Sequence, residues 1–73
     1  MDIDQAVRDA QGRVASGIDS NRASAIVAND EARRKLLGHL SAGCMSKNGE
    51  IATRSMVRFY EARICALARE MAP

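Results

Sequence analysis

Residues 50–71, EIATRSMVRFYEARICALAREM, decide the fold. Along them Thr53, Val57, Tyr60, Ile64, Leu67 and Met71 follow one another in alternating steps of four and three, the spacing that lines up one face of an α-helix. The spacing predicts a single helix over 50–71, carrying the longest regular stripe in the chain. Apolar residues also lie off that stripe. At roughly 100° per residue, Ala52, Phe59, Ala62 and Ala66 fall on a flank well away from Val57 and Ile64. One packing contact needs one apolar face, so a second flank is expected either to meet a partner chain or to seat Phe59 on the first helix of the same chain.

Upstream of this helix, Lys47-Asn48-Gly49 reads as a loop, because Asn and Gly tolerate the positive φ of a turn or helix end. The segment before it, about 20–46, is helical in composition, with Ala32, Leu36, Leu37, Leu40 and Cys44 on one face. Asn29-Asp30-Glu31 resembles a helix start in its middle, which leaves one helix or two open. Gly38 and Gly43 each weaken a helix by roughly 1 kcal/mol relative to alanine, and imply close contact or an early end. At the N-terminus Ile3, Val7, Ala10 and Val14 repeat the four-three-four spacing, predicting a helix over about 2–16. Gly17 is its expected stop, and Asp19, Ser20 and Asn21 offer capping groups for the next start.

Composition agrees with an all-α domain. Alanine, which occurs 13 times in 73 residues, favours helix and close backbone approach, whereas the aromatic side chains that strands favour are only Phe59 and Tyr60. The expected fold is a small antiparallel bundle of three helices, or four if the central segment breaks at Asn29, forming one domain over 1–73. Domains of this size rarely obtain more than about 3–5 kcal/mol from one core, so extra support is expected. Two cysteines, with no export-signal pattern, argue against disulfides and for a cytoplasmic location. His39 is the only histidine, and with Cys44 and Cys65 it lacks the paired spacing of a structural zinc site, so no metal or other cofactor is expected. Self-association, most simply as a homodimer, is the remaining form of support. No apolar run is long enough to span a bilayer, and no membrane partner is expected.

The net charge of +2 divides unevenly: residues 1–31 hold six acids against three arginines, net −3, and residues 32–73 hold eight bases against three glutamates, net +5. Much of the basic charge has a local explanation. Asp4–Arg8, Asp9–Arg13, Asp30–Arg34, Glu31–Lys35 and Glu50–Arg54 are acid-to-base pairs in the orientation that stabilises helices, and Arg58 can reach Glu61. Arg22, Arg33, Lys47, Arg63 and Arg69 are left unassigned. Arg54, Arg58 and Arg69 share an exposed stripe and, with Arg63, are the candidates for binding an anion, a nucleic-acid backbone, a nucleotide or an acidic partner. A helix-turn-helix is not expected, because the position four residues before Gly17, Gly38, Gly43 and Gly49 holds Arg13, Arg34, His39 and Met45, all too bulky for that tight turn.

No catalytic set emerges. His39 and Cys44 lie about 140° apart on a helix and do not meet, and no Gly-rich loop follows a strand. A non-enzymatic protein is expected, acting by association with another protein as an adaptor or inhibitor. Met45, Phe59, Ala62 and Ala66 are the candidate residues for a partner or self-association interface. Alternatives are phosphate-backbone or nucleotide binding through the arginines and a purely structural subunit of an assembly.

Overall fold

The computed structural model describes residues 2–18 and 20–71, and these form three helices and no strand. α1 spans Ile3–Ser16, α2 Ser20–Ala42 and α3 Lys47–Met71. The all-helical expectation holds for the described residues, and the helices pack on one another in a bundle-like arrangement in which α2 and α3 share the largest interface.

The ends of α1 follow from its flanking residues. Asp2, in extended conformation, accepts the Asp4 amide at 3.0 Å and satisfies one of the donors a helix start leaves unpaired. At the other end Gly17 adopts φ 73°, its amide bonding to the Val14 carbonyl at 3.2 Å while the Ile18 amide bonds to the Arg13 carbonyl at 2.9 Å. This pair of bonds is a Schellman termination, which a side chain at Gly17 would strain. Of the expected caps for the next helix, Asp19 lies outside the described residues.

α2 runs unbroken through Asn29-Asp30-Glu31, so the central segment is one helix. Its would-be capping groups are engaged elsewhere: the Asn29 side chain donates to the Ala25 carbonyl at 2.7 Å, and Asp30 is drawn inward by arginines. The helix ends at Ala42, not at 46, because Gly43 turns left-handed at φ 70°. Gly38, with open space where a Cβ would go, marks neither a close contact nor an end. α3 begins at Lys47, which corrects the expected loop at Lys47-Asn48-Gly49. Ser46 sets this start, its hydroxyl accepting the Gly49 amide at 3.1 Å and its carbonyl the Glu50 amide at 2.9 Å.

The core is small. Val7 and Ala10 of α1, Ala23 and Ile26 of α2, and Val57 and Ile64 of α3 are its buried apolar residues, with Ile3, Ala6, Val27, Leu67, Ala68 and Met71 packed around them. On α3 the expected stripe turns inward as a set: Thr53, Val57 and Ile64 are buried and Tyr60, Leu67 and Met71 half-buried. The stripes of α1 and α2 are less complete. Val14 stays exposed on α1, and on α2 Leu37 is exposed while Cys44 lies beyond the helix end. No described helix is long and apolar enough to cross a membrane.

Candidate functional site: the outer face of α3

With Val57 and Ile64 fixing the inward side of α3, the residues roughly half a turn away must face outward. Phe59 is 58% exposed, Ile51 57% and Met56 48%, and Ala52, Ala62 and Ala66 are also exposed. Of the four interface candidates, Phe59, Ala62 and Ala66 therefore share one outward flank. Met45 does not join them. It is half-buried in the α2–α3 connection, its sulfur 3.4 Å from the hydroxyl of buried Thr53, on the opposite side of the helix. The Thr53 hydroxyl donates to the Gly49 carbonyl at 2.8 Å, the in-helix bond that lets a polar residue sit in the buried stripe.

Two ring contacts order the centre of the outward flank. Phe59 and Tyr60 meet edge to face, with centroids 5.5 Å apart. The Arg63 guanidinium lies 5.9 Å from the Phe59 ring centroid, one turn on, within range of a weak exposed cation–π contact.

The arginines divide by partner. Arg54 holds Glu50 at 2.8 Å, the local pair expected from their spacing. Arg34 likewise holds Asp30 at 2.8 Å, but no ion pair forms at Asp4–Arg8, Asp9–Arg13 or Glu31–Lys35 among the described residues. Asp9 instead accepts the Gln5 side-chain amide at 2.9 Å. Nor does Arg58 reach Glu61. That carboxylate belongs to Arg33 of α2, whose Nε donates to it at 3.0 Å while Nη1 donates to Asp30, also at 3.0 Å. Arg22 of α2 meets Glu70 at 3.3 Å. All three glutamates of α3 are thus held by arginines, whereas Arg58, Arg63 and Arg69 have no carboxylate partner among the described residues.

The Asp30–Arg33–Glu61 cluster lies between α2 and α3. Asp30 is only 3% exposed, yet no buried side-chain nitrogen or oxygen among the described residues lacks a hydrogen-bond partner. Burial pulls the Arg33 pKa down, but hydrogen bonds to Glu61 and Asp30 outweigh it and leave it above the ordinary arginine value. Bridging Asp30 on its own helix and Glu61 on α3, Arg33 makes the cluster a structural clamp between the two helices.

Comparison with protein-family models, characterised proteins and solved structures finds no match to this chain. The remaining features of the surface are modest. An open depression of about 250 Å³ lies between α1 and α2, lined by Val14, Ser24, Val27, Ala28 and Glu31. His39 and Cys44 are exposed and Cys65 is half-buried, and the described residues contain no group of three metal-binding side chains. On the outer face of α3 the exposed Ala52, Phe59, Ala62 and Ala66 lie beside Arg58, Arg63 and Arg69, which have no carboxylate partner among the described residues.

Proposed function

We propose that the protein acts by non-covalent association, as an adaptor or inhibitor that presents the outer face of α3 to another protein and performs no chemistry of its own. The exposure of Phe59 alongside Ala52, Ala62 and Ala66, on a helix whose opposite side already supplies the core, carries this reading. Short connections at 17–19 and 43–46 favour successive helices running antiparallel, an arrangement that gives α3 an inward stripe and a full-length outward one. Exposed apolar side chains contiguous on one face are a common mark of a binding surface.

The test is a comparison of the wild-type chain with Phe59→Asp in affinity capture from the native host, followed by intact mass measurement. The wild type should retain a stoichiometric protein, and the variant should lose it while keeping its helical content. Equal retention by both chains removes α3 as the docking surface.

The small core favours a second reading, self-association through Phe59, Ala62 and Ala66, since a chain with six buried apolar residues among those described gains most from covering more surface. Sedimentation across a wide concentration range checks it. A monomer at every concentration excludes it.

A further inference from the structure

We propose that the segment docking on the outer face of α3 is an acidic amphipathic helix of a partner protein. This inference rests on the reading that α3 binds another protein, and adds the chemistry of what it binds.

The shape of the face comes first. Ala52, Ser55, Phe59, Ala62 and Ala66 repeat in steps of three and four, the seam along which a second helix can lie. Four of these five side chains are small, so a neighbouring backbone can approach closely, and Phe59 supplies the one large projection that needs a hole opposite it. The complementary segment is a helix with larger apolar residues facing the alanines and a small one facing Phe59.

The charge then selects among such helices. At roughly 100° per residue, Arg58 and Arg69 border this seam on one side and Arg63 on the other, each about 60–80° from its centre. These are the three arginines of α3 without a carboxylate partner among the described residues, while Glu50, Glu61 and Glu70 are each already held by Arg54, Arg33 and Arg22. The seam is therefore bordered by unmatched positive charge and by no free negative charge. Glutamates or aspartates flanking the apolar stripe of a docking helix would meet arginines on both sides.

The same charge count weighs against the other occupants. A second copy of this chain, set face to face, brings three more unmatched arginines and no free carboxylate, and a parallel pairing places Arg58 beside Arg63 of the copy. A nucleic-acid backbone would satisfy the arginines but leave Phe59 and Ile51, between and beside them, without apolar cover.

Three probes titrated into the isotope-labelled full chain test the proposal. One is a synthetic three-heptad amphipathic helix with glutamate flanks and a leucine stripe interrupted by one central alanine to receive Phe59, the second its twin with lysine flanks, and the third a short DNA duplex. The glutamate peptide should bind at least about tenfold more tightly than its twin, and weaken severalfold as salt rises from about 50 to about 500 mM. Its binding should shift the amide signals of Ala52, Phe59, Ala62 and Ala66. Arg58→Glu combined with Arg63→Glu, both at exposed positions, should reverse the preference toward the lysine peptide. Equal binding of the two peptides, no binding of either, tighter binding of the duplex, or shifts confined to another face would each overturn the proposal. If peptide selectivity is absent while Phe59→Asp still abolishes partner capture, the binding function stands and only the acidic-helix inference fails. If Phe59→Asp leaves capture unchanged, the underlying reading fails as well.

Discussion

Arg33 joins two helices through two carboxylates, Asp30 on its own helix and Glu61 on α3, and its side chain is only 16% exposed. Arg34, one residue on, touches the same Asp30 but is 65% exposed. An ion pair largely removed from water leaves its partner stranded when broken, whereas an exposed pair is replaced by solvent. Arg33→Ala should therefore cost about 2–3 kcal/mol and Arg34→Ala less than about 1 kcal/mol, read as the difference in urea midpoints. Equal losses would show that the cross-helix bond to Glu61 contributes nothing. Because the Arg33 pKa is raised, its contribution is complete below the ordinary arginine value and is lost only as pH rises through the higher folded-state value. Across the neutral range the Arg33 contribution should stay constant.

The helices themselves make a sharper test of backbone chemistry, because two glycines in open space should respond in opposite directions. Gly17 closes α1 at φ 73°, a conformation a Cβ resists, whereas Gly38 lies within α2 with helical geometry. Gly17→Ala should destabilise by about 1–2 kcal/mol and Gly38→Ala should stabilise by about 0.5–1 kcal/mol, measured by thermal or urea unfolding. The same sign for both would mean that the termination of α1 is not what Gly17 provides. Such elements differ in how far the sequence reveals them. The stripe from Thr53 to Met71 and the grouping of Phe59, Ala62 and Ala66 on one flank follow from helical period alone, since both depend only on residues within one helix, whereas the exposure of that flank depends on where the other helices pack. The continuity of α2 does not, because Asn29 and Asp30 have the same side chains whether they cap a helix or bond within one. Asn48-Gly49 permits a turn without requiring it, and the decisive residue is Ser46, placed three before the Gly49 amide it accepts. Arg33 and Glu61 are 28 residues apart, and their pairing depends on the register of two helices that no local spacing encodes. Arg63 and Arg69 lack a local acid in the sequence itself, but Arg58 is unmatched only because Glu61 pairs with Arg33 of α2.

At the scale of the whole molecule, extents of 42 × 19 × 18 Å describe a slender body whose buried centre is correspondingly thin. Ile26 and Ile64 are the largest fully buried side chains among the described residues, and truncating such a residue typically costs about 2–5 kcal/mol. With total stability for a domain of this size at about 3–5 kcal/mol, Ile64→Ala should leave the chain largely unfolded at room temperature. Phe59 is larger but contributes differently: 58% exposed on the opposite side of α3, it has little to lose within the chain. Phe59→Asp also places a carboxylate one turn before Arg63, a mildly favourable spacing. Measured at a concentration low enough to keep the chain monomeric, Phe59→Asp should shift stability by no more than about 0.5 kcal/mol, the usual range for a surface substitution. The measurement needs the second condition as well, because anything that binds only the folded chain raises its apparent stability in proportion to its concentration. If copies associate through this face, the wild type should melt higher as concentration rises and Phe59→Asp should not. If the face instead awaits a different protein, both chains should melt alike at every concentration and diverge only when that partner is added. A loss of several kcal/mol in the dilute variant would place Phe59 in the stabilising core and leave α3 without a face to offer.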